Sequence, residues 1–517
     1  MKYAHLILAA AVVIVASALR FPRLEDRPMH TDESVQALKF QGLLEHGQYR
    51  YDPDEYHGPV LSYATRVAAW LGGVRTLAEA TEATLRCVPA VFGVGLVGLA
   101  WGWRGLLGRG AACWAGLLTA LSPALVYYSR YYIHEMLLVF WSGLFLMAGW
   151  RYARSPHWGW AALGGAGLGL MHSTKETFVL QLGAAAVATG VLWGRRWRRR
   201  GIPWPAGARG WHAGLMLGVA AAVSAVFFTS FFAHGAGLWD SIRTYGPWLT
   251  RAEGDSPHVH PWHFYLGLLA WTHRGGGPVW SELLILGLAV AGGAWAWRRR
   301  GEDSPAGAVG RWLSVYAVVL TAVYSVIPYK TPWCMLGFLH AYILLAGLGA
   351  AGLLGAVRAM PSRVAAAAAI LVACGQLGVQ AAHGSFGYAA DPRNPYVYAH
   401  TSPNLLHLVR RMENLARAHP LGRSMVVKVI AAGGDYWPLP WYLRWFERVG
   451  WYSAPPEDPR ASAVIASPRW APELEGRGMT NLVAAGHFGL RPAVFLQLRV
   501  EPDLWSAYMA SPREPED

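Results

Sequence analysis

Residues 332–357 read PWCMLGFLHAYILLAGLGAAGLLGAV and contain no Asp, Glu, Lys or Arg. About 20 apolar residues suffice to cross the hydrocarbon of a bilayer as a helix. Working outward from this run, ten more of the same kind lie near 3–20, 84–104, 111–128, 135–152, 158–174, 177–194, 211–233, 279–297, 312–328 and 364–382. The expected fold is a polytopic α-helical membrane protein of eleven spans. Trp262 to Trp271 is too short to span comfortably and reads as interfacial. The first run, Tyr3 to Leu19, has a short basic start, and no small-residue cleavage site precedes the charged segment Arg20 to Arg27, so it reads as an uncleaved helix.

Composition agrees. Of 517 residues 54% are hydrophobic and 15% charged, against about 25% charged in an average soluble domain. The 27 Trp and 59 Gly fit helices that tolerate Gly and place Trp at the membrane–water interface. The net charge of +14 invites a nucleic-acid partner, but the cations sit elsewhere: Arg195, Arg196, Arg198, Arg199 and Arg200 end one apolar run, and Arg298, Arg299 and Arg300 end another. Cytoplasmic loops collect Lys and Arg in this way, so no nucleic-acid role is expected. Cys87, Cys113, Cys334 and Cys374 all lie within apolar runs or at their edges, which indicates no disulfide framework in the polar C-terminal region.

With the N-terminus inside, the loops at Arg104/Arg109, Arg151/Arg154, 195–209, 298–311 and 358–363 are all cytoplasmic and all carry Arg. The long loop 21–83 and everything after residue 383 are then external. Loop 21–83 reads as two interfacial helices, about Glu33 to Glu45 with Thr31 or Asp32 as N-cap and about Pro59 to Leu71 before Gly72-Gly73, with a turn-rich stretch from Tyr49 to Gly58 between them. Past 383, residues 403–419 form an amphipathic helix, while Met425 to Ile430, Ala461 to Ala466 and Val494 to Val500 resemble strands. The expected division is a membrane domain, 1–382, and a small extracytoplasmic α/β domain, 383–517.

Polar groups gather on the external side. In His30-Thr31-Asp32-Glu33 an acid can serve as general base; equally, acids suit a helix N-terminus. Ser129 to Glu135 offers Arg130, able to grip a phosphate or to snorkel, and Glu135, able to steer a metal or nucleophile. His172 to Glu176 holds Lys175 and Glu176 in a turn at membrane depth, where charges mark function or pair with each other. Pro328 to Trp333 breaks a helix around Lys330, a phosphate ligand or an interfacial anchor. His258, His260 and His263 form a weak metal candidate without helical spacing. Asp52-Pro53-Asp54 reads as a turn, and no P-loop occurs. One acidic pair and three cations on one side suit a polar acceptor and a membrane-embedded phosphate donor, whose leaving group needs cationic stabilisation.

The long first external loop opening on Asp32-Glu33 resembles that of the GT-C glycosyltransferases, which include protein O-mannosyltransferases and the lipid A aminoarabinose transferase. Several segments are similar to the prokaryotic flippase-activity-associated, mannosyltransferase-like branch: His30 to Glu33, Tyr51 to Pro53, Tyr56 to Pro59, Ser173 to Glu176, Pro328 to Trp333, Tyr398 to Pro403 and Asp435 to Tyr442. The resemblance covers nearly the whole chain. It implies a GT-C fold in the cytoplasmic (inner) membrane and transfer of a sugar, typically with inversion, from a polyprenyl-phosphate donor to an external protein, lipid or glycan acceptor. Asp32 matches the catalytic acid position, with Glu33 beside it. Arg130, Lys175 and Lys330 are assigned to the donor phosphate from charge and side, and Glu135, Glu176, His57 and Tyr56 to acceptor, sugar or metal steering. Some members of the superfamily use a divalent metal and others none. A flippase component without chemistry is the competing reading, although the two matched halves of many transporters are absent.

Overall fold

Each apolar run folds as a helix because hydrocarbon leaves the backbone no other partner for its N–H and C=O groups. The computed structural model describes residues 4–200, 207–248, 258–299, 304–477 and 481–511. The side chains of the Arg195–Arg200 cluster, and Arg300, lie outside the described residues. Eleven helices among them stand where the apolar runs do: Ala4–Arg20, Glu82–Gly102, Arg109–Leu121, Glu135–Arg154, Trp158–His172, Phe178–Arg200, Gly210–Phe228, Leu283–Arg298, Pro305–Val326, Leu336–Ala356 and Met360–Ala382. Six helical stretches are long and apolar enough to cross a membrane: Glu82–Leu107, Glu135–Arg154, Gly210–Phe228, Pro305–Val326, Pro332–Ala356 and Met360–Gly387. Ile7–Arg20, Phe178–Gly194 and Leu283–Arg298 are apolar and shorter.

Two runs end earlier than the sequence pattern suggests. The expected span 111–128 breaks after Leu121, and a short helix, Pro123–Tyr128, follows with its proline at the first helical position. Proline cannot donate to the preceding turn, so the helix restarts there. The buried Glu282 carboxylate closes the break, accepting from Ser122 Oγ at 2.9 Å and from Ala124 N at 2.9 Å. The span expected to reach residue 233 ends at Phe228, and Ser230, Phe231 and Phe232 turn the chain with positive φ of 53°, 58° and 70°. Trp262 to Trp271 contains only the seven-residue helix Phe264–Ala270.

Contacts divide the chain into two compact units: Met1–Leu24, Gln48–Ala68 and Ala83–Tyr398 in the first, and Glu25–Gly47, Ala69–Glu82 and Ala399–Asp517 in the second. The sequence suggests a linear division at 382/383; the contacts instead assign parts of the first loop to the unit of the C-terminal region. The first unit is a helical bundle whose core is set by close backbone approach. A Cβ on Gly349 would overlap the Leu288 carbonyl of the neighbouring helix, which is why small residues occupy this seam.

The second unit holds a five-stranded sheet ordered β2-β1-β3-β5-β4, formed by Val426–Ile430 (β1), Arg448–Tyr452 (β2), Ala463–Ala466 (β3), Val483–Arg491 (β4) and Val494–Val500 (β5). β1 pairs parallel with β2 and β3, whereas β5 pairs antiparallel with β3 and β4. Helix Leu405–Ala418 buries Leu405, Leu408, Val409, Met412, Leu415 and Ala416, the stripe expected of a helix with one apolar face. Helix Thr31–His46, from the first loop, also belongs to this unit.

Candidate active site

In the second unit, Asp32 and Glu33 open helix Thr31–His46, but neither is its cap. The cap is His30, whose Nδ1 accepts from Asp32 N at 3.1 Å, in place of the Thr31 or Asp32 expected from sequence. Glu33 completes a capping box by accepting from His30 N at 2.9 Å. Its other oxygen accepts from Arg27 Nη2 at 3.0 Å, with the side chain fully buried. Asp32 is different. Its side chain is 49% exposed, its carboxylate stands 3.9 Å from His30 Nδ1, and among the described residues it accepts no hydrogen bond. The helix N-terminus favours its negative charge.

The remaining anchors of this turn come from far along the chain. Arg27 Nη1 reaches His400 Nε2 at 3.0 Å, Thr401 Oγ1 donates to Met29 O at 2.6 Å, and Met29 N donates to the Tyr442 hydroxyl at 2.8 Å. Sequence reasoning gave Arg27, His400 and Tyr442 no site role. His400 and Tyr442 lie in segments notable only for their resemblance to a family, and nothing in the local pattern singles out Arg27.

In the first unit, the turn-rich stretch 49–60 meets the tight turn 173–177. Val60 N donates to Ser173 O at 3.1 Å, and a Cβ on Gly58 would overlap that same carbonyl, so only glycine fits. This contact brings His57 to Glu176: Nδ1 donates to Oε2 at 2.8 Å, and Tyr51 donates to Oε1 at 3.3 Å. Burial pushes Glu176 up, yet His57 and the hydrogen bonds outweigh it and hold the carboxyl below its ordinary range. His57 is 35% exposed. His134 donates from Nε2 to Gly58 O at 3.0 Å, its ring 5.3 Å from that of His57. Burial, His57 and Lys175 together push His134 well below its usual range, so it stays neutral. Lys175 pairs with Glu135 instead of with its neighbour Glu176. Burial pulls the ammonium down, and the Glu135 carboxylate more than reverses this, leaving Lys175 raised. Glu135 and Thr177, with Trp333 and Cys334, line a cavity of about 10 Å³, at the lower limit for one water. Two of the sequence motifs, Ser129 to Glu135 and Pro328 to Trp333, meet there, and the third is tied to them by the Lys175–Glu135 pair.

The other two cations are held by carbonyls. Arg130 donates to Arg20 O at 2.9 Å, Pro22 O at 2.7 Å and Arg23 O at 2.9 Å, closing the end of the first helix, and stacks 4.8 Å from the Phe386 ring. Lys330 donates to His260 O at 2.9 Å and Ile327 O at 2.5 Å, and burial lowers its ammonium. His258 Nδ1 and His260 Nε2 both meet the Tyr398 hydroxyl, at 2.7 and 2.8 Å, whereas His263 only precedes helix Phe264–Ala270. Tyr56 is half-buried in the turn begun by Asp52, whose Oδ1 accepts from Asp54 N at 3.0 Å. Among the described residues no three His, Cys, Asp or Glu side chains converge as a metal-binding set.

Residues 70–238 match the model of the dolichyl-phosphate-mannose-protein mannosyltransferase family. That stretch includes Arg130, Glu135, Lys175 and Glu176 and leaves Asp32, His57 and Lys330 outside it. No curated protein sequence matches. Among solved structures, ArnT from Cupriavidus metallidurans bound to undecaprenyl phosphate is similar over 100% of both chains, with a TM-score of 0.63 and 16% identity. The oligosaccharyltransferase AglB from Archaeoglobus fulgidus, in complex with an inhibitory peptide and a dolichol-phosphate, is similar over 98% of this chain and 77% of its own, with a TM-score of 0.52 and 13% identity. The chain shares their fold.

Proposed function

We propose that this chain is a membrane glycosyltransferase that moves a sugar from a polyprenyl-phosphate donor to an acceptor on the extracytoplasmic face of the inner membrane, with Asp32 as general base. One observation carries the reading: of the two adjacent acids, Glu33 is spent on Arg27 and the helix cap, while the Asp32 carboxylate is half-exposed and accepts no hydrogen bond among the described residues. The shared fold and the family match over 70–238 support the reaction class. Asp32 takes the proton from the acceptor's nucleophilic atom as that atom attacks the anomeric carbon. The bond from that carbon to the phosphate oxygen breaks, and the polyprenyl phosphate leaves with the electron pair; attack opposite the leaving group inverts the centre. Lys175, Lys330 and Arg130 are assigned to the phosphate charge. Lys175 is the best suited of them, because a carboxylate holds its charge in place. Its ammonium also has donors beyond the bond to Glu135. The His57–Glu176 pair resembles an oriented imidazole and is assigned to sugar or acceptor hydroxyls.

The test supplies radiolabelled polyprenyl-phosphate sugar to membranes carrying wild type or Asp32→Asn. Transfer is expected to fall by about 10²–10⁴-fold with donor binding retained, the usual worth of a general base. Equal transfer by the two proteins overturns the assignment. Movement of the lipid across the bilayer without sugar transfer overturns the reaction class.

A further inference from the structure

We infer that Arg27, His400 and Tyr442 are positioning residues for Asp32, so that residues from the C-terminal part of the chain hold the base in its reactive geometry. The inference rests on the proposed role of Asp32. Three separate anchors, all within the second unit, support it.

The first is the guanidinium of Arg27, which bridges Glu33 Oε1 and His400 Nε2, each at 3.0 Å. Arg27, Glu33 and His400 are 7%, 0% and 4% exposed, so the bridge lies in a medium where charge-assisted bonds are strong and an unpaired partner is costly. Arginine suits this place because its planar fork holds two partners at fixed angles, which a lysine cannot do. The second anchor is Met29, whose N–H and C=O are both taken, by the Tyr442 hydroxyl and by Thr401 Oγ1. The third is Ser34, whose Oγ donates to Pro438 O at 3.4 Å. Together they hold the side chains of residues 27, 33 and 34 and the backbone of Met29, on both sides of Asp32, while its own carboxylate stays half-exposed. Rigid support around an exposed acid is what preorganisation requires, and displacement of about 1 Å can cost about 10²-fold in rate.

The protein is purified whole in detergent, and transfer is followed with polyprenyl-phosphate sugar and a saturable acceptor. His400→Ala is expected to lower kcat by about 10²-fold while leaving the KM for donor unchanged. His400→Gln places a carboxamide oxygen where Nε2 accepts and is expected to restore most of the rate. In the Asp32→Asn background, His400→Ala is expected to add less than about 3-fold, because residues acting as one unit are not additive. Tyr442→Phe removes one hydroxyl and keeps the ring, so it decides the matter even where His400→Ala fails to fold; its kcat should drop by about 3–10-fold. Losses that multiply in the double variant, a rise in KM with kcat intact, or wild-type kcat in Tyr442→Phe each overturn the inference. Full activity in Asp32→Asn would instead overturn the base assignment, a separate failure.

Discussion

Asp32-Glu33 and Lys175-Glu176 look alike in sequence, each a pair of adjacent charged residues on a loop beside a membrane helix, yet the fold treats them in different ways. In the first pair one member is buried and bonded while the other faces out. In the second both are buried, and each finds a partner in a different segment, Glu135 for Lys175 and His57 for Glu176. Neighbours in sequence point apart in a helix or tight turn, so adjacency says little about pairing. What distinguishes the pairs is which charge is left over: Asp32 in the first, and none in the second.

The largest effects should break this contrast if it is wrong. Removing one partner of a buried ion pair strands the other and costs about 3–5 kcal/mol. Glu33→Gln and Lys175→Met are each expected to lose that much stability in denaturant titrations of the detergent-solubilised protein. Asp32→Asn should stay within about 0.5 kcal/mol, as an exposed surface substitution does. A loss at Asp32 as large as at Glu33 would mean that Asp32 is structural. The double variant Glu135→Leu/Lys175→Met should regain most of the stability lost by Lys175→Met, because no unpaired charge remains.

Much of the helical fold is legible in the sequence, since long runs without charge admit few alternatives. Its interruptions are harder to see. Ser122-Pro123 breaks a run that stays apolar across the break, and hydropathy does not register it. β2 and β4 carry no clear period-2 pattern, because Gly450 interrupts one and a bulge between Ala484 and Gly486 the other. The helix cap is misread because histidine is not among the usual N-cap residues. For the site, sequence shows charge type and neighbourhood but not the partner. The carbonyls that Arg130 and Lys330 bond have no signature in the sequence.

A smaller effect separates the two members of the second pair by pH. The Glu176 carboxyl lies below its ordinary value near 4.5. Its contribution to stability is therefore complete above that value and is lost as pH falls through the folded-state value. Lys175 is raised above its ordinary 10.5, so its contribution is complete below 10.5 and is lost only as pH rises through the folded-state value. Acid titration of stability should flatten below about pH 4.5 in Glu176→Gln and keep its wild-type slope in a variant lacking only the Lys175–Glu135 pair. The opposite assignment of slopes would show that the two neighbours share one network.

The smallest effect tests how much of the Glu176 arrangement depends on His57. Tyr51 donates to Glu176 Oε1 at 3.3 Å, a long bond beside the 2.8 Å contact from His57 to the other oxygen. Tyr51→Phe keeps the ring against Phe228, at 4.8 Å between centroids, and deletes only the hydroxyl. The expected loss is about 0.5–1.5 kcal/mol, the usual net worth of one hydrogen bond. His57→Leu should cost more, since it removes the nearer donor to a buried carboxylate. Equal losses at the two positions would make Tyr51 a full partner in holding Glu176, and the charge of Glu176 would then rest on a hydroxyl that cannot neutralise it.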